Sequence, residues 1–159
     1  MAFIDGQNLH LGTVGDGWKV DYSKFRIYLN DKYGIKTAYY FLGYSSEEEK
    51  DLYTNLKNSG YSVIFKIHSK DILARKKGNV DTDIVFEVMK NLIDNSELGE
   101  VVLVSGDGDY RKLTDYLIYK NKFRKILFPN KKASSLYKNL GAERCDYLTN
   151  IRKYIEYNN

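Results

Sequence analysis

Two short acidic runs hold the residues of this sequence that are best suited to chemistry. They are residues 3–8, FIDGQN, and residues 104–109, VSGDGD. Each begins with an apolar stretch typical of a buried strand and then changes to carboxylate, glycine and amide or hydroxyl side chains. In a parallel α/β sheet, the carboxyl ends of the strands line the crevice that binds ligands. Acids gathered there repel one another unless a cation joins them, so the runs predict a site for a hard divalent metal.

Residues 77–83, KGNVDTD, supply a third acidic group. Two of its acids are predicted at the start of a helix, where unpaired amides and the helix dipole favour negative charge. Helix capping alone would explain them, whereas one metal site explains all three groups together. Carboxylate, water and phosphate oxygens suit Mg²⁺ or Mn²⁺. The candidate metal ligands are Asp5, Asp81, Asp83, Asp107 and Asp109.

Such a site is suited to phosphoryl transfer to water. A bound divalent ion lowers the pKa of a coordinated water and neutralises charge on a phosphate. Asp5 and Asp107 are expected to be the principal ligands, with the other acids completing or orienting the set. Asn8 is expected to donate a hydrogen bond to a phosphate or to hold a water. The candidate substrate-binding residues are Asn8, Lys77, Ser105 and Arg111.

The elements that must position these residues follow from the hydrophobic pattern. Strand-like runs alternate with segments of helical spacing, and they lie at residues 2–5, 37–43, 62–67, 100–105 and 124–128. This alternation implies right-handed crossovers and a largely parallel sheet of about five strands. Helices near residues 133–140 and 146–157 are expected to pack on the body, which completes a single domain of residues 1–159. The sequence leaves open whether the last helix also forms a homodimer.

Composition narrows the class of protein. The chain has 159 residues, of which 43% are hydrophobic, enough for a sizeable core. No apolar stretch approaches the roughly 20 residues of a membrane span, and the N-terminus does not read as a signal peptide. The lone Cys145 excludes an internal disulfide, so we expect a cytoplasmic protein.

The charge balance is mildly basic, with 25 Lys and Arg against 21 Asp and Glu. If several acids bind a metal in one cleft, the remaining surface is more basic than the total suggests. Basic clusters at residues 75–77, 120–125 and 131–132 favour a polyanionic partner through counterion release, although each cluster also reads as a solvated face. Unpaired bases can also stack on aromatic rings, for which Trp18, Tyr39, Tyr40 and Tyr44 are candidates.

The three acidic motifs, taken in chain order, resemble those of the NYN domain, a branch of the PIN-like nucleases, and most closely its bacterial LabA-type members. The resemblance covers about residues 2–130. It implies a PIN-like α/β/α sandwich with a parallel central sheet, and cleavage of RNA that depends on Mg²⁺ or Mn²⁺. By motif position, it implies catalytic roles for Asp5, Asn8, Asp81, Asp107 and Asp109.

One departure from the family pattern concerns the middle motif. The family often has Lys-Gly-Val-Asp, whereas this chain carries Asn79 as an insertion. Asp83 is therefore an alternative to Asp81 as the ligand at the start of the helix.

The sequence is compatible with three functions. The favoured one is a metal-dependent ribonuclease, or a broader nuclease that also cleaves single-stranded DNA. The second is a catalytically quiet module that keeps the fold and binds nucleic acid or protein. The third is another phosphoryl-transfer enzyme, such as a nucleotide phosphatase. Asp107 and Asp109 suggest that class, but Gln7 stands where aspartyl phosphatases need a second aspartate.

Overall fold

The computed structural model of the protein describes residues 1–66 and 79–158. Within them, six strands form one sheet in which all neighbouring strands are parallel. The strands are β1 Ala2–Asp5, β2 Ala38–Leu42, β3 Ser62–Phe65, β4 Val101–Val104, β5 Phe123–Phe128 and β6 Cys145–Tyr147. Their spatial order is β3-β2-β1-β4-β5-β6. The predicted α/β fold with a largely parallel sheet is confirmed, with one strand more than the expected five or so.

Helices connect successive strands and cover both faces of the sheet. In the described part of the chain, the α-helices are α1 Gly6–Gly15, α2 Tyr22–Tyr33, α3 Lys50–Asn58, α4 Asp81–Asp94, α5 Arg111–Tyr119 and α6 Arg152–Ile155. Short 3₁₀ helices cover Glu47–Glu49, Gly108–Tyr110, Ser135–Tyr137 and Leu148–Ile151. No helix within residues 1–66 and 79–158 has the length and apolar character needed to cross a bilayer.

The alternation of side chains along the buried strands creates two apolar clusters, one on each face. Ala2 and Ile4 of β1 belong to the cluster covered by α1, α2, α3 and α6. Phe3, between them, belongs to the opposite cluster, which is covered by α4 and α5. Because successive strand residues point to opposite faces, an unbroken apolar strand is what a sheet covered on both sides requires. The three-layer α/β/α sandwich follows directly.

The strand order reverses at β1, and this reversal defines the place for a ligand site. The chain runs from β1 outward through β2 and β3, then returns to place β4 on the other side of β1. In the parallel register, Ile4 pairs with Val104. The residues that follow these two strands therefore emerge side by side, at the position where open α/β sheets bind ligands.

The C-terminal region differs from the sequence-based expectation. The helix expected over residues 146–157 is preceded and shortened by β6, which pairs with β5 through Asp146 and Leu127. A 3₁₀ turn and a single α-helical turn follow. Only a 3₁₀ turn forms within residues 133–140. A three-residue strand is too short for its alternation to stand out against the helical spacing of Leu148, Ile151 and Ile155.

Two aromatic candidates for base stacking lie in the core instead. Trp18 and Tyr40 are only 4% and 1% exposed. Tyr39 stacks on Phe3, with ring centroids 5.3 Å apart. The expectation that Trp18 and Tyr40 offer platforms for bases is wrong, because these rings fill the interior next to the sheet.

Candidate metal centre

Asp5 ends β1 and at the same time begins α1. Its Oδ1 accepts a hydrogen bond from the backbone N–H of Asn8 at 2.9 Å, as an N-cap side chain does. Its Oδ2 accepts a hydrogen bond from the Ser105 hydroxyl at 3.4 Å and lies 3.3 Å from the Tyr110 hydroxyl. With 6% of its surface exposed, Asp5 forms the buried back of the site.

Asn8 joins the ends of the two central strands. Its side-chain Oδ1 accepts a hydrogen bond from the backbone N–H of Gly106 at 2.8 Å. The amide was expected to contact a phosphate or a water, and the structure gives its oxygen a different role. This hydrogen bond joins the segments that follow β1 and β4. It leaves the Asn8 Nδ2 as the group able to face a ligand.

Asp81 is the first residue of α4, whose N-cap is Val80, and no side chain caps the helix from that position. The Asn79 Oδ1 accepts a hydrogen bond from the Asp81 N–H at 2.8 Å. Because Asp81 lies inside the helix, its carboxylate does not have the N-cap role that the sequence allowed for it. Its Oδ1 instead accepts a hydrogen bond of 2.5 Å from the Tyr110 hydroxyl. The Asp81 carboxylate therefore faces the site rather than the end of its own helix.

Asp107 begins the 3₁₀ turn after β4 and brings Asp109 beside it. Asp107 Oδ1 accepts a hydrogen bond from the Asp109 N–H at 3.0 Å, and the Tyr137 hydroxyl donates to the Asp107 carbonyl at 2.7 Å. One carboxylate oxygen from each of Asp81, Asp107 and Asp109 lies within 4.8 Å of the others. These three residues, here called the front acids, place oxygens close enough to share one cation.

The electrostatics of the site favour a positive ligand. In the part of the chain that the structure describes, no basic side chain lies within 4.0 Å of the carboxylates of Asp5, Asp81, Asp107 or Asp109. Burial raises the pKa of Asp5, the Asn8 N–H lowers it, and the charge of Asp81 raises it again. Hydroxyls and amides solvate these acids, but they do not neutralise them.

An open pocket of about 320 Å³ gives access to the acids. Its wall includes Asp5, Asp81 and Asp107 with the side chains of Asn8 and Leu11. Among residues 1–66 and 79–158, the donor set is made of carboxylates and an amide, with no thiol or imidazole, and it fits a hard cation such as Mg²⁺ or Mn²⁺. The front acids would hold the ion.

Three other predicted residues have different partners. Asp83 lies 3.6 Å from Lys66, and it is not one of the front acids. Ser105 is 2% exposed, with its hydroxyl between Asp5 and the Asp107 N–H. The Arg111 guanidinium forms hydrogen bonds with Asp115. Lys77, the cluster at 75–77 and the predicted end of β3 at residue 67 lie outside the described residues.

Gly6 and Gly106, one from each acidic run, differ in whether a side chain would fit. Neither Gly6 nor Gly106 has a positive φ. A Cβ on Gly6 would lie 2.6 Å from the carbonyl oxygen of Phe41, so only glycine lets α1 start this close to β2. A Cβ on Gly106 would meet nothing nearer than Ala133 at 3.5 Å. Gly6 is therefore required by packing, and Gly106 is not.

Sequence reasoning gave no role to Tyr110. Its ring is 1% exposed and belongs to the same apolar cluster as Phe3, whereas its hydroxyl reaches both Asp5 and Asp81. Burial raises the pKa of the Tyr110 phenol, and the charge of Asp5 raises it further, so the group stays a donor. The only signal in the sequence was its position directly after Asp109, which an ordinary core residue would share.

Comparison with known proteins agrees with the class that the fold and site define, a PIN-like α/β domain with an acidic edge. The sequence matches the family model of the NYN domain over residues 1–146. The chain therefore belongs to the NYN domain family, whose members are PIN-like and generally nucleases. The family implies a nucleic-acid substrate.

A solved structure with the same fold is the crystal structure of a protein of unknown function from Vibrio parahaemolyticus. It is 19% identical to this chain, with a TM-score of 0.77, and the match covers 98% of this chain and 94% of that one. At this identity the likeness shows the fold alone. No curated protein matches the sequence.

Proposed function

We propose that this protein is a metal-dependent ribonuclease that hydrolyses phosphodiester bonds of single-stranded or structured RNA. The observation that carries the proposal is the meeting of Asp81, Asp107 and Asp109 oxygens within 4.8 Å at the strand-order reversal. Membership of the NYN family supports a nuclease with such a site. Single-stranded DNA is a second substrate to test.

Hydrolysis forms a bond from a water oxygen to phosphorus and breaks the bond to the leaving sugar oxygen. When bound, Mg²⁺ or Mn²⁺ would supply Lewis acidity to the phosphate and acidity to a coordinated water. The front acids would hold the ion, and the Asn8 Nδ2 would donate to a phosphate oxygen. Asp5 supports these groups from behind by accepting hydrogen bonds from the Asn8 N–H and the Ser105 hydroxyl.

We assign substrate binding to Lys131 and Lys132, which lie in the loop after β5. Both are exposed, and the loop is attached to the site edge because the Ser134 N–H donates to the Gly106 carbonyl at 2.9 Å. Asn130 holds its other end to α1 through the carbonyl of Gly12. Two cations beside an acidic pocket suit the flanking phosphates of a polyanion. We propose these lysines for phosphate binding rather than Arg111, because the Arg111 guanidinium already pairs with Asp115 at 2.8 Å.

The activity is tested by incubating the protein with labelled single-stranded RNA in Mn²⁺, in Mg²⁺ and in EDTA. We expect cleavage with either metal and none in EDTA. Asp107→Asn should abolish cleavage, whereas Asp115→Asn, which removes an exposed acid on α5, should leave it intact. RNA binding without cleavage in any metal would contradict the enzyme and favour the quiet binding module. Release of phosphate from nucleotide monophosphates alone would favour a phosphatase.

The binding role of the loop lysines is tested by salt dependence. Replacing Lys131 and Lys132 by Gln should weaken RNA binding and flatten its salt dependence. The slope of log K on log salt should fall by about 0.7 for each phosphate that the lysines no longer neutralise. The control replaces Lys36 and Lys57, which are exposed elsewhere on the surface, with the same reduction in charge. Equal effects of the two pairs would show that only overall charge matters.

We also propose the cellular location of the protein and the part of the chain that is needed for activity. The free thiol of Cys145 suits the reducing cytoplasm. A single domain of residues 1–159 supplies every acid of the site, so we propose that the isolated chain is active. Sedimentation of the active protein would reveal a homodimer.

A further inference from the structure

The hydroxyl of Tyr110 lies between the buried acid and one of the front acids. It is 2.5 Å from Asp81 Oδ1 and 3.3 Å from Asp5 Oδ2. A phenol carries one proton, and the shorter distance places that proton on the bond to Asp81. The Asn8 N–H and the Ser105 hydroxyl remain as donors to Asp5. The Tyr110 hydroxyl is therefore a donor to Asp81 and only a close neighbour of Asp5.

The ring that carries this hydroxyl has little freedom to move. Tyr110 is 1% exposed and packs in the apolar cluster that contains Phe3, Ile84 and Leu103. Its backbone belongs to the 3₁₀ turn that Asp107 begins. By contrast, the Asp81 side chain projects from the first residue of α4 and is partly exposed. A fixed donor at the base of the pocket therefore sets the direction of an otherwise adjustable carboxylate.

We propose that Tyr110 is a positioning residue, which orients the Asp81 carboxylate for a divalent ion. This inference rests on the proposed function, because it assumes that Asp81 is a metal ligand. Asp5 lies buried behind the front acids, although its motif position led us to expect a principal ligand. Groups that orient a metal ligand by hydrogen bonding commonly change metal affinity by about 10- to 100-fold when removed.

The test measures Mn²⁺ affinity directly, by calorimetry and by the Mn²⁺ electron paramagnetic resonance signal, in the full-length protein without substrate. Tyr110→Phe should weaken Mn²⁺ binding about 10-fold or more while keeping the fold. The matched control is Tyr61→Phe, which removes another buried hydroxyl, donated to the Tyr22 carbonyl on the opposite face of the sheet. That control should leave Mn²⁺ affinity unchanged.

A double-mutant comparison separates positioning from general loosening. In an Asp81→Ala background the oriented ligand is gone, so adding Tyr110→Phe should cost no further Mn²⁺ affinity. An undiminished loss in that background would overturn the proposal, as would native Mn²⁺ affinity in Tyr110→Phe alone. If Tyr110→Phe does not fold, Asp81→Glu moves the carboxylate away from the hydroxyl. A loss of about 10-fold there supports the proposal, and native affinity overturns it.

The same data distinguish this inference from the proposed function. Wild-type protein that binds Mn²⁺ and cleaves RNA, with Tyr110→Phe equal to it in both, refutes the role of Tyr110 and leaves the nuclease standing. Wild-type protein that binds no Mn²⁺ refutes both. In cleavage assays, a positioning role predicts that raising Mn²⁺ restores most of the Tyr110→Phe rate, whereas Asp107→Asn stays inactive at all concentrations.

Discussion

The two edges of the sheet carry charge in opposite ways. At the amino edge, charges of both signs meet: Arg124 lies 3.5 Å from Glu100, and the N-terminal amine donates to the Glu100 carbonyl. At the carboxyl edge, four aspartates gather, and the described residues give them hydroxyl and amide donors but no ion pair.

The volumes of the pockets at the two edges do not distinguish them. The amino-edge pocket has about 420 Å³ and the acidic one about 320 Å³. We therefore use uncompensated like charge, rather than volume, as the mark of the edge proposed to bind a cation. Arg124 and Glu100 pair at the amino edge, whereas the four aspartates have no ion pair among the described residues.

The contrast between the edges depends most strongly on the front acids. Asp81→Asn should weaken Mn²⁺ binding about 100-fold or more, since it removes a direct ligand rather than a supporting group. Asp83→Asn, two residues along the same helix, should change Mn²⁺ affinity little, because Asp83 faces Lys66. Calorimetry on both variants checks this. A larger effect at Asp83 would mean that the inserted Asn79 has shifted the ligand role.

The carboxyl edge also depends on close backbone approach. Gly6→Ala places a Cβ against the Phe41 carbonyl, so we expect it to lower the free energy of unfolding by about 1–3 kcal/mol. Gly106→Ala has room for its Cβ and should change it by less than about 0.5 kcal/mol. Urea unfolding of the two variants measures the difference. Equal stabilities would show that the junction of β1 and α1 adapts more easily than its geometry indicates.

Burial of the Asp5 charge, together with smaller repulsion from Asp81, predicts that removing this charge stabilises the metal-free protein. Folding raises the pKa of Asp5, so the stability that depends on its protonation is present below the unfolded value of about 3.9 and is lost as pH rises through the raised pKa. Asp5→Asn should therefore raise Tm at pH 7, by about 2–4 °C for each kcal/mol of penalty removed. Below about pH 4, the gain should vanish. A folded variant with a lower Tm at pH 7 would refute this.

Substitutions at the amino edge should have the smallest effects on stability and on Mn²⁺ affinity. Glu100→Gln removes an ion pair whose two side chains are about half exposed, so its effect on unfolding should be under about 0.5 kcal/mol. Mn²⁺ affinity should not change. Thermal unfolding with and without Mn²⁺ tests both statements, and a metal effect here would remove the distinction between the edges.

Much of the fold and the location of the site were predictable from sequence. Unbroken apolar strands ending in Asp5 and before Asp107 predict a parallel sheet and a common edge, and the structure places both acids there. The sixth strand was missed because three residues at 145–147 are too few to show a period. Its pairing depends on β5 being already in place.

The division of roles within the site required tertiary structure. Spacing alone made Asp81 and Asp83 equivalent candidates, and only the partners Tyr110 and Lys66 distinguish them. Ser105 has a hydroxyl in the right motif, yet the fold buries it. The sequence indicates that Tyr110 is a core residue. The role of its hydroxyl can be seen only in the fold, where α4 places Asp81 beside it.

The central claim is that the front acids bind one hard cation. Anomalous diffraction from a crystal soaked in Mn²⁺ tests it most directly. We expect a manganese peak within ligand distance of Asp81, Asp107 and Asp109, with Asp5 behind it. A fully ordered acidic edge with no peak, or a peak held by other residues, would contradict the claim.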